Sequence, residues 1–163
     1  EHLLRKCLPD NFMGDFDSLS KSVRDRYESQ LNTKTKIYDG IISVLEYLKK
    51  NKVNMAVISN KLHLLAVRSV ETYFNSYEIK VIGAEGGFPR KPNPDSTVHM
   101  LQYFNCSASD ALFIGDSIVD IKTAQNASIR SVGVLWGNGT EEDFIKQKSD
   151  FILESPKEIF NIL

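Results

Sequence analysis

Two carboxylates and a hydroxyl stand within five residues of one another in the stretch "ALFIGDSIVDIKTA" (111–124). An apolar run from Ala111 to Ile114 ends in Gly115, Asp116 and Ser117, and Asp120 follows about one helical turn later. Asp116 and Asp120 suit Mg²⁺, a hard cation that takes carboxylate and water oxygens. Ser117 and Asp120 equally fit a capping box at a helix start, where an acid also suits the helix dipole. Asp116 lies between a buried strand and the cap, so its charge needs a partner.

Three other apolar runs also end in polar groups. "NMAVI" is followed by Ser59, Asn60 and Lys61. Ser59 or Asn60 either caps the next helix or, with neighbouring backbone N–H groups, holds phosphate oxygens. "KVIG" is followed by "AEGGFPRKPNPD". There Lys91, held extended by Pro92, is either a solvated loop lysine or a charge that neutralises a phosphoryl group. Asn93 and Pro94 read as an N-cap and the first helical residue. "VGVL" is followed by "WGNGT", where Trp136 reads as packing and Thr140 with Asp143 as a second capping box. His2, His63 and His99 show no ligand spacing. A hydroxyl, a lysine and an acid pair make a kit for phosphoryl transfer, which demands positioning and charge neutralisation above all. The kit lacks a nucleophile or base.

The elements that must position these groups follow from periodicity. In residues 1–36 the signals are helical: Phe16, Leu19, Val23, Tyr27 and Leu31 recur every three or four residues, which makes one apolar face. From Ile37 onward strands and helices alternate. Strands are expected at "VNMAVIS", "IKVIG", "ALFIG", "RSVGVLW" and "DFIL", and helices at 41–48, 62–74, 94–104, 118–126, 141–148 and 156–163. Such alternation predicts a parallel sheet covered on both faces. Ligands of such sheets bind outside the carboxyl ends of the strands, which is where all four polar stretches stand.

The whole chain narrows the field. Its 163 residues suit a domain with a real core, and 42% hydrophobic and 25% charged residues are ordinary for a globular protein. A formal net charge of -1 gives no broad pull toward nucleic acid or an anionic membrane. No apolar run approaches the roughly 20 residues of a membrane span. Cys7 and Cys106 lack metal or redox spacing, so two free thiols in the cytoplasm are expected.

In order and spacing, "VISNK", "RKPNPD" and "GDSIVDIKTA" resemble the second, third and fourth motifs of the haloacid dehalogenase superfamily. The surrounding text, from "YDGIISVLEYLKKNKVNMAVISNK" to "VGVLWGNGTEEDF", is similar to its phosphoglycolate phosphatase branch. The resemblance covers nearly all of 37–163. It implies a Rossmann-like α/β core over 37–163, preceded at 1–36 by the rear part of a helical cap domain. It also implies that Ser59 binds the transferring phosphoryl group, Asn60 shapes the same pocket, and Lys91 contacts phosphoryl oxygens and a nucleophilic carboxylate. Asp116 is then a Mg²⁺ ligand, and Asp120 supports the metal shell or holds Lys91.

Three departures stand out. Asp39 stands where the family usually has Pro, and Ser128 where it usually has Gly. The family's first motif, Asp-x-Asp-Gly-Thr on the first strand, occurs nowhere in the chain. "GDFD" (14–17) is no substitute, because no apolar strand precedes it and it opens a helix. The expectation is therefore a Mg²⁺-dependent phosphatase for a small phosphorylated metabolite such as phosphoglycolate. It would act through an aspartyl-phosphate, with the nucleophile in a missing N-terminal segment. The chain alone is expected to be inactive, with a gap in its sheet where another chain could pair. A sugar-phosphate mutase, a pyrophosphatase, a phosphonate hydrolase and a non-catalytic binding module are the alternatives.

Overall fold

The computed structural model describes residues 2–30 and 33–163. The chain divides into two units, Glu1–Thr35 and Lys36–Leu163.

The first unit holds helices α1 (His2–Cys7) and α2 (Phe16–Ser29). Asp15 caps α2, its carboxylate accepting from the backbone N–H groups of Asp17 at 3.0 Å and Ser18 at 3.3 Å. "GDFD" is thus a helix start, as its lack of a preceding strand implies. The Arg5 guanidinium lies 3.7 Å from the centroid of the Phe16 ring. On the expected apolar face Phe16 and Leu19 are half-buried, while Val23 and Tyr27 are exposed. Leu31 lies outside the described residues.

The second unit alternates helix and strand. In order come α3 (Ile41–Lys50), β1 (Met55–Leu62), α4 (His63–Phe74), β2 (Ile79–Ala84), α5 (Asp95–Tyr103), β3 (Leu112–Gly115), α6 (Ile118–Asn126), β4 (Arg130–Val134), α7 (Glu141–Lys146) and β5 (Phe151–Leu153). The expected last helix is instead a 3₁₀ segment, Pro156–Asn161. Every described strand pairing is parallel, as expected from the alternation of the two element types. No helix of the described residues is long and apolar enough to cross a membrane.

The strands form two sheets rather than one: β1 pairs only with β2, and β4 lies between β3 and β5. One edge of β1 and one edge of β3 therefore have no strand partner among the described residues. Burial follows this division. Four of the five residues of β4 are buried, and β4 packs with Val44, Leu153 and Ile159 into a cluster that Trp136 and Leu48 flank. No residue of β1 or β3 is buried, and Ile114 is 40% exposed although it lies mid-strand. Helix α3 touches both halves. Its Val44 joins the three-stranded core, while its Glu46 accepts at 2.7 Å from the hydroxyl of Tyr77, just before β2. That bond, with burial, holds the Tyr77 phenol above its usual pKa.

Candidate active site

The site is built at the carboxyl ends of β1, β2 and β3. Ser59 and Asn60 do not cap the following helix. Strand β1 continues through them to Leu62, and α4 starts at His63 without a side-chain cap. Ile58 pairs with Ile82 and Leu62 with Ala84, so four residues of β1 span the rise of two in β2. The surplus bulges at Ser59–Lys61, a device that re-aims strand-end side chains. The Ser59 hydroxyl accepts from the Lys61 N–H at 3.1 Å, which settles the bulge.

Asn60 reaches across 31 residues to Lys91. Its Oδ1 accepts from the Lys91 N–H at 2.8 Å and its Nδ2 donates to the Lys91 carbonyl at 3.1 Å. One side-chain amide thus occupies both backbone groups of the lysine, as a neighbouring strand would. The Lys91–Pro92 peptide is cis. Asn126 Nδ2 donates to the Pro92 carbonyl at 2.8 Å. Asn93 accepts at 2.8 Å from the N–H of Asp95, so it stands one position before the N-cap, which is Pro94. The helix thus starts one residue later than expected, because the Asn93 side chain closes a turn onto Asp95 just before the helix instead of capping it.

The Lys91 ammonium donates to Asp120 Oδ1 at 2.5 Å, with both side chains largely buried at 13% and 9% exposure. Asp120 Oδ2 accepts from the Ser117 N–H at 3.1 Å and the Ser117 hydroxyl at 2.6 Å. Asp120 therefore caps α6 and holds Lys91 at once, using both oxygens. Gly115 makes this possible: a Cβ there would lie 2.2 Å from the Asp120 Cβ.

Asp116 is held differently. Its Oδ2 accepts from the Asn138 N–H at 3.0 Å and from the Asn138 Nδ2 at 2.8 Å. Oδ1 has no partner. The "WGNGT" loop comes this close because Gly137 carries no side chain, since a Cβ there would lie 2.3 Å from the Asp116 Cβ. Asn138 was not singled out in the sequence. The two glycines flanking it were the available signal, because small residues mark close approach of a backbone.

Ser59, Asn60 and Lys91 line one pocket together with Gly83, Arg90 and Ser96. Asp120 joins it through Lys91, while Asp116 does not line it. Among the described residues no three His, Cys, Asp or Glu side chains cluster as a metal site. A hard cation at Asp116 fits the donor chemistry at one point, the open Oδ1. Its remaining ligands would be phosphate, water or further carboxylates, a set that Mg²⁺ accepts. His63 and His99 stay outside this group: His63 Nδ1 accepts from the Gly83 N–H at 3.2 Å, and His99 packs on Phe88 with centroids 4.9 Å apart.

The pattern of the haloacid dehalogenase-like hydrolase family matches residues 4–134. The chain belongs to that family. Several relatives point to one branch of it. The chain is 27% identical over 165 residues to a phosphoglycolate phosphatase of Aquifex aeolicus, covering 99% of this chain and 73% of that protein. It is 30% identical over 149 residues to a Caldanaerobacter subterraneus protein that carries the provisional name pyrophosphatase PpaX, covering 91% of this chain and 68% of that one. A crystal structure from Lactobacillus delbrueckii, provisionally named a phosphoglycolate phosphatase, is 28% identical and superposes with a TM-score of 0.78. That match covers 83% of this chain and 57% of the other. The chain thus spans 57% to 73% of the length of these three proteins. The Rossmann-like α/β fold read from the sequence is the fold these proteins share.

Proposed function

We propose that this chain is the larger part of a Mg²⁺-dependent phosphatase that hydrolyses a small phosphate monoester, phosphoglycolate or a close analogue, through an aspartyl-phosphate. The observation that carries the reading is the convergence of Lys91 on Asp120 beside Ser59. A hydroxyl with a bulged backbone and an anchored cation stand at one pocket, with a partly open carboxylate, Asp116, on the next strand. The relatives named phosphoglycolate phosphatase support the substrate class. The protein named as a pyrophosphatase favours a second reading, in which the leaving group is itself a phosphate.

In the proposed reaction the Ser59 hydroxyl and nearby N–H groups hold the phosphoryl oxygens. Lys91 offsets the charge that builds on them in the transition state. Mg²⁺ at Asp116 supplies further neutralisation when bound. An aspartate carboxylate forms a bond to phosphorus as the P–O ester bond breaks and the departing alkoxide takes a proton. Water then hydrolyses the acyl phosphate, returning the carboxylate and releasing phosphate. None of the described carboxylates lines the Ser59–Lys91 pocket free to attack, since Asp120 is committed to Lys91 and Ser117. The nucleophile is assigned to a strand from outside these 163 residues, seated between the open edges of β1 and β3. Free Cys7 and Cys106 are consistent with the cytoplasm as its compartment.

The test is an assay of residues 1–163 with Mg²⁺ and either p-nitrophenyl phosphate, phosphoglycolate or pyrophosphate. No turnover is expected. Turnover that survives rigorous purification and vanishes in Asp116→Asn would overturn the assignment of the nucleophile. In an enzyme carrying the additional strand, the preferred substrate decides between the two leaving groups.

A further inference from the structure

Asn138 lies outside the three motifs, yet among the described residues it is the hydrogen-bond partner of the Asp116 carboxylate. Both of its donors fall on the same oxygen. The backbone N–H and the side-chain Nδ2 reach Oδ2 at 3.0 and 2.8 Å. A carboxylate can accept at either oxygen, so two donors on one of them fix the carboxylate's rotation and leave Oδ1 alone as a free acceptor. The other acid of the pair offers nothing more, because Lys91 takes Asp120 Oδ1 and Ser117 takes Asp120 Oδ2. The loop is pressed onto Asp116 at Gly137, where no other residue leaves room.

We infer that Asn138 is a positioning residue that restricts Asp116 to one-oxygen coordination and so makes the site prefer Mg²⁺ over Ca²⁺. The inference rests on the reading of Asp116 as a metal ligand. Its physical basis is the difference between the two ions. Mg²⁺ demands near-octahedral geometry and takes single carboxylate oxygens. Ca²⁺ takes six to eight ligands and readily chelates a carboxylate through both oxygens. With Oδ2 saturated by two donors, chelation at Asp116 requires both of those bonds to break. Removing the side-chain donor leaves one N–H on Oδ2 and lets the carboxylate turn.

The experiment uses the enzyme carrying the additional strand, whose carboxylate completes the ligand set beside Asp116, and Mn²⁺ as probe. The free ion is followed by electron paramagnetic resonance, and Mg²⁺ and Ca²⁺ are titrated as competitors. Wild type, Asn138→Ala and Asp116→Asn are compared, with the unfolding midpoint of each measured alongside. Asn138 is exposed on a loop, so its midpoint is expected to stay close to wild type. Asn138→Ala is expected to weaken Mg²⁺ competition about tenfold, the scale of losing a hydrogen bond to a metal ligand, while Ca²⁺ competition falls far less. The Ca²⁺ to Mg²⁺ preference then moves severalfold toward Ca²⁺, a change that simple loosening of the loop would not produce. Equal weakening of both ions, or no change in either, overturns the inference and leaves the metal reading standing. Mn²⁺ binding that is the same in wild type and Asp116→Asn overturns the metal reading and the inference together.

Discussion

The two sheets of the second unit are made of similar material and come out differently. "VISN" in β1 and "FIGD" at the end of β3 are as apolar as the "SVGV" of β4, yet β4 is buried almost throughout and neither of the others holds a buried residue. The difference lies in neighbours. Strand β4 has a strand on each side, α6 alongside and the fully buried Phe144 of α7 against Gly133. Among the described residues β1 and β3 have one strand neighbour each; β2 also has one, but its end, residues 82–84, is buried where α4 packs on it. Apolar composition therefore marks strands meant for an interior, while burial marks which of them have their neighbours in place. The functional groups divide along the same line. The two-stranded half brings the hydroxyl, the amide and the lysine, and the three-stranded half brings both carboxylates. Lys91 joins them.

The sharpest way to break this comparison is to remove matched core groups from each half. Ile121→Ala, at a fully buried position of α6, which packs on β3 and β4, is expected to cost about 3–5 kcal/mol of stability in denaturant unfolding. Ile58→Ala, at a half-buried position of β1, should cost below about 2 kcal/mol. Equal losses would mean that the two halves are equally finished. Hydrogen exchange should agree, with amides of β4 protected longest and those on the free edges of β1 and β3 exchanging early.

The bridge comes next in size. Asp120→Ala strands the Lys91 charge in a largely buried place and frees the start of α6. It should cost about 3 kcal/mol. The pair Lys91→Met with Asp120→Leu removes both charges and should recover much of that loss. If the double variant is as unstable as the sum of its parts, the bridge is not an interaction between the halves.

A smaller effect separates the halves by pH. In the three-stranded half the Ser131 N–H at 2.7 Å and the Ser131 hydroxyl at 2.8 Å donate to Asp150. The backbone bond foremost, and then the hydroxyl, hold the Asp150 carboxyl below its usual range. A folded pKa below the unfolded one gives stabilisation that is present above the unfolded carboxylate range and lost as pH falls through the folded pKa. Asp150→Asn should flatten that acid limb of the unfolding midpoint. An unchanged limb would assign it to other carboxylates.

The smallest expected change is a gain. Ser128 has φ of 57°, in the left-handed region, at the position where the family usually has glycine. Ser128→Gly should add about 0.5 kcal/mol by relieving that strain. A loss instead would mean that unfolded-chain entropy outweighs it.

The element types and the rim of polar groups were legible because each rests on local pattern. The strand "ALFIG" ends where its apolar run ends, and the Thr140–Asp143 capping box forms as spelled. What was not legible depends on partners far away in sequence. Ser59 and Asn60 were open to a capping role because nothing local says that β1 bulges and continues. The bulge is settled against β2, some twenty residues on. The Asn60 clamp joins residues 31 apart, and the Asn138 clamp joins residues 22 apart. No periodicity reports such bonds. The Asp120–Lys91 pairing was one of two roles that the resemblance allowed, and the geometry displays it. The division into two sheets was foreseen only from the absence of the first motif.

The amide clamp of Asn60 on Lys91 has a consequence for how this segment can change in descent. Residues 85–93 form one loop by length but two by constraint. From Lys91 on, the main chain is fastened by Asn60, then by Asn126 at Pro92, then by the turn of Asn93 onto Asp95. Before it, the chain from Glu85 to Arg90 is fastened near its start, where Gly86 donates to the Gly83 carbonyl at 3.1 Å, and at its surface by a loose 3.9 Å contact between Arg90 and Glu85. Residues inserted after Gly87 would be absorbed on the near side, and the lysine would keep its place. A single residue inserted between Lys91 and Asp95 would have to break three anchors or move the charge. The loop is thus free to vary in length on one side of Lys91 and fixed in count on the other.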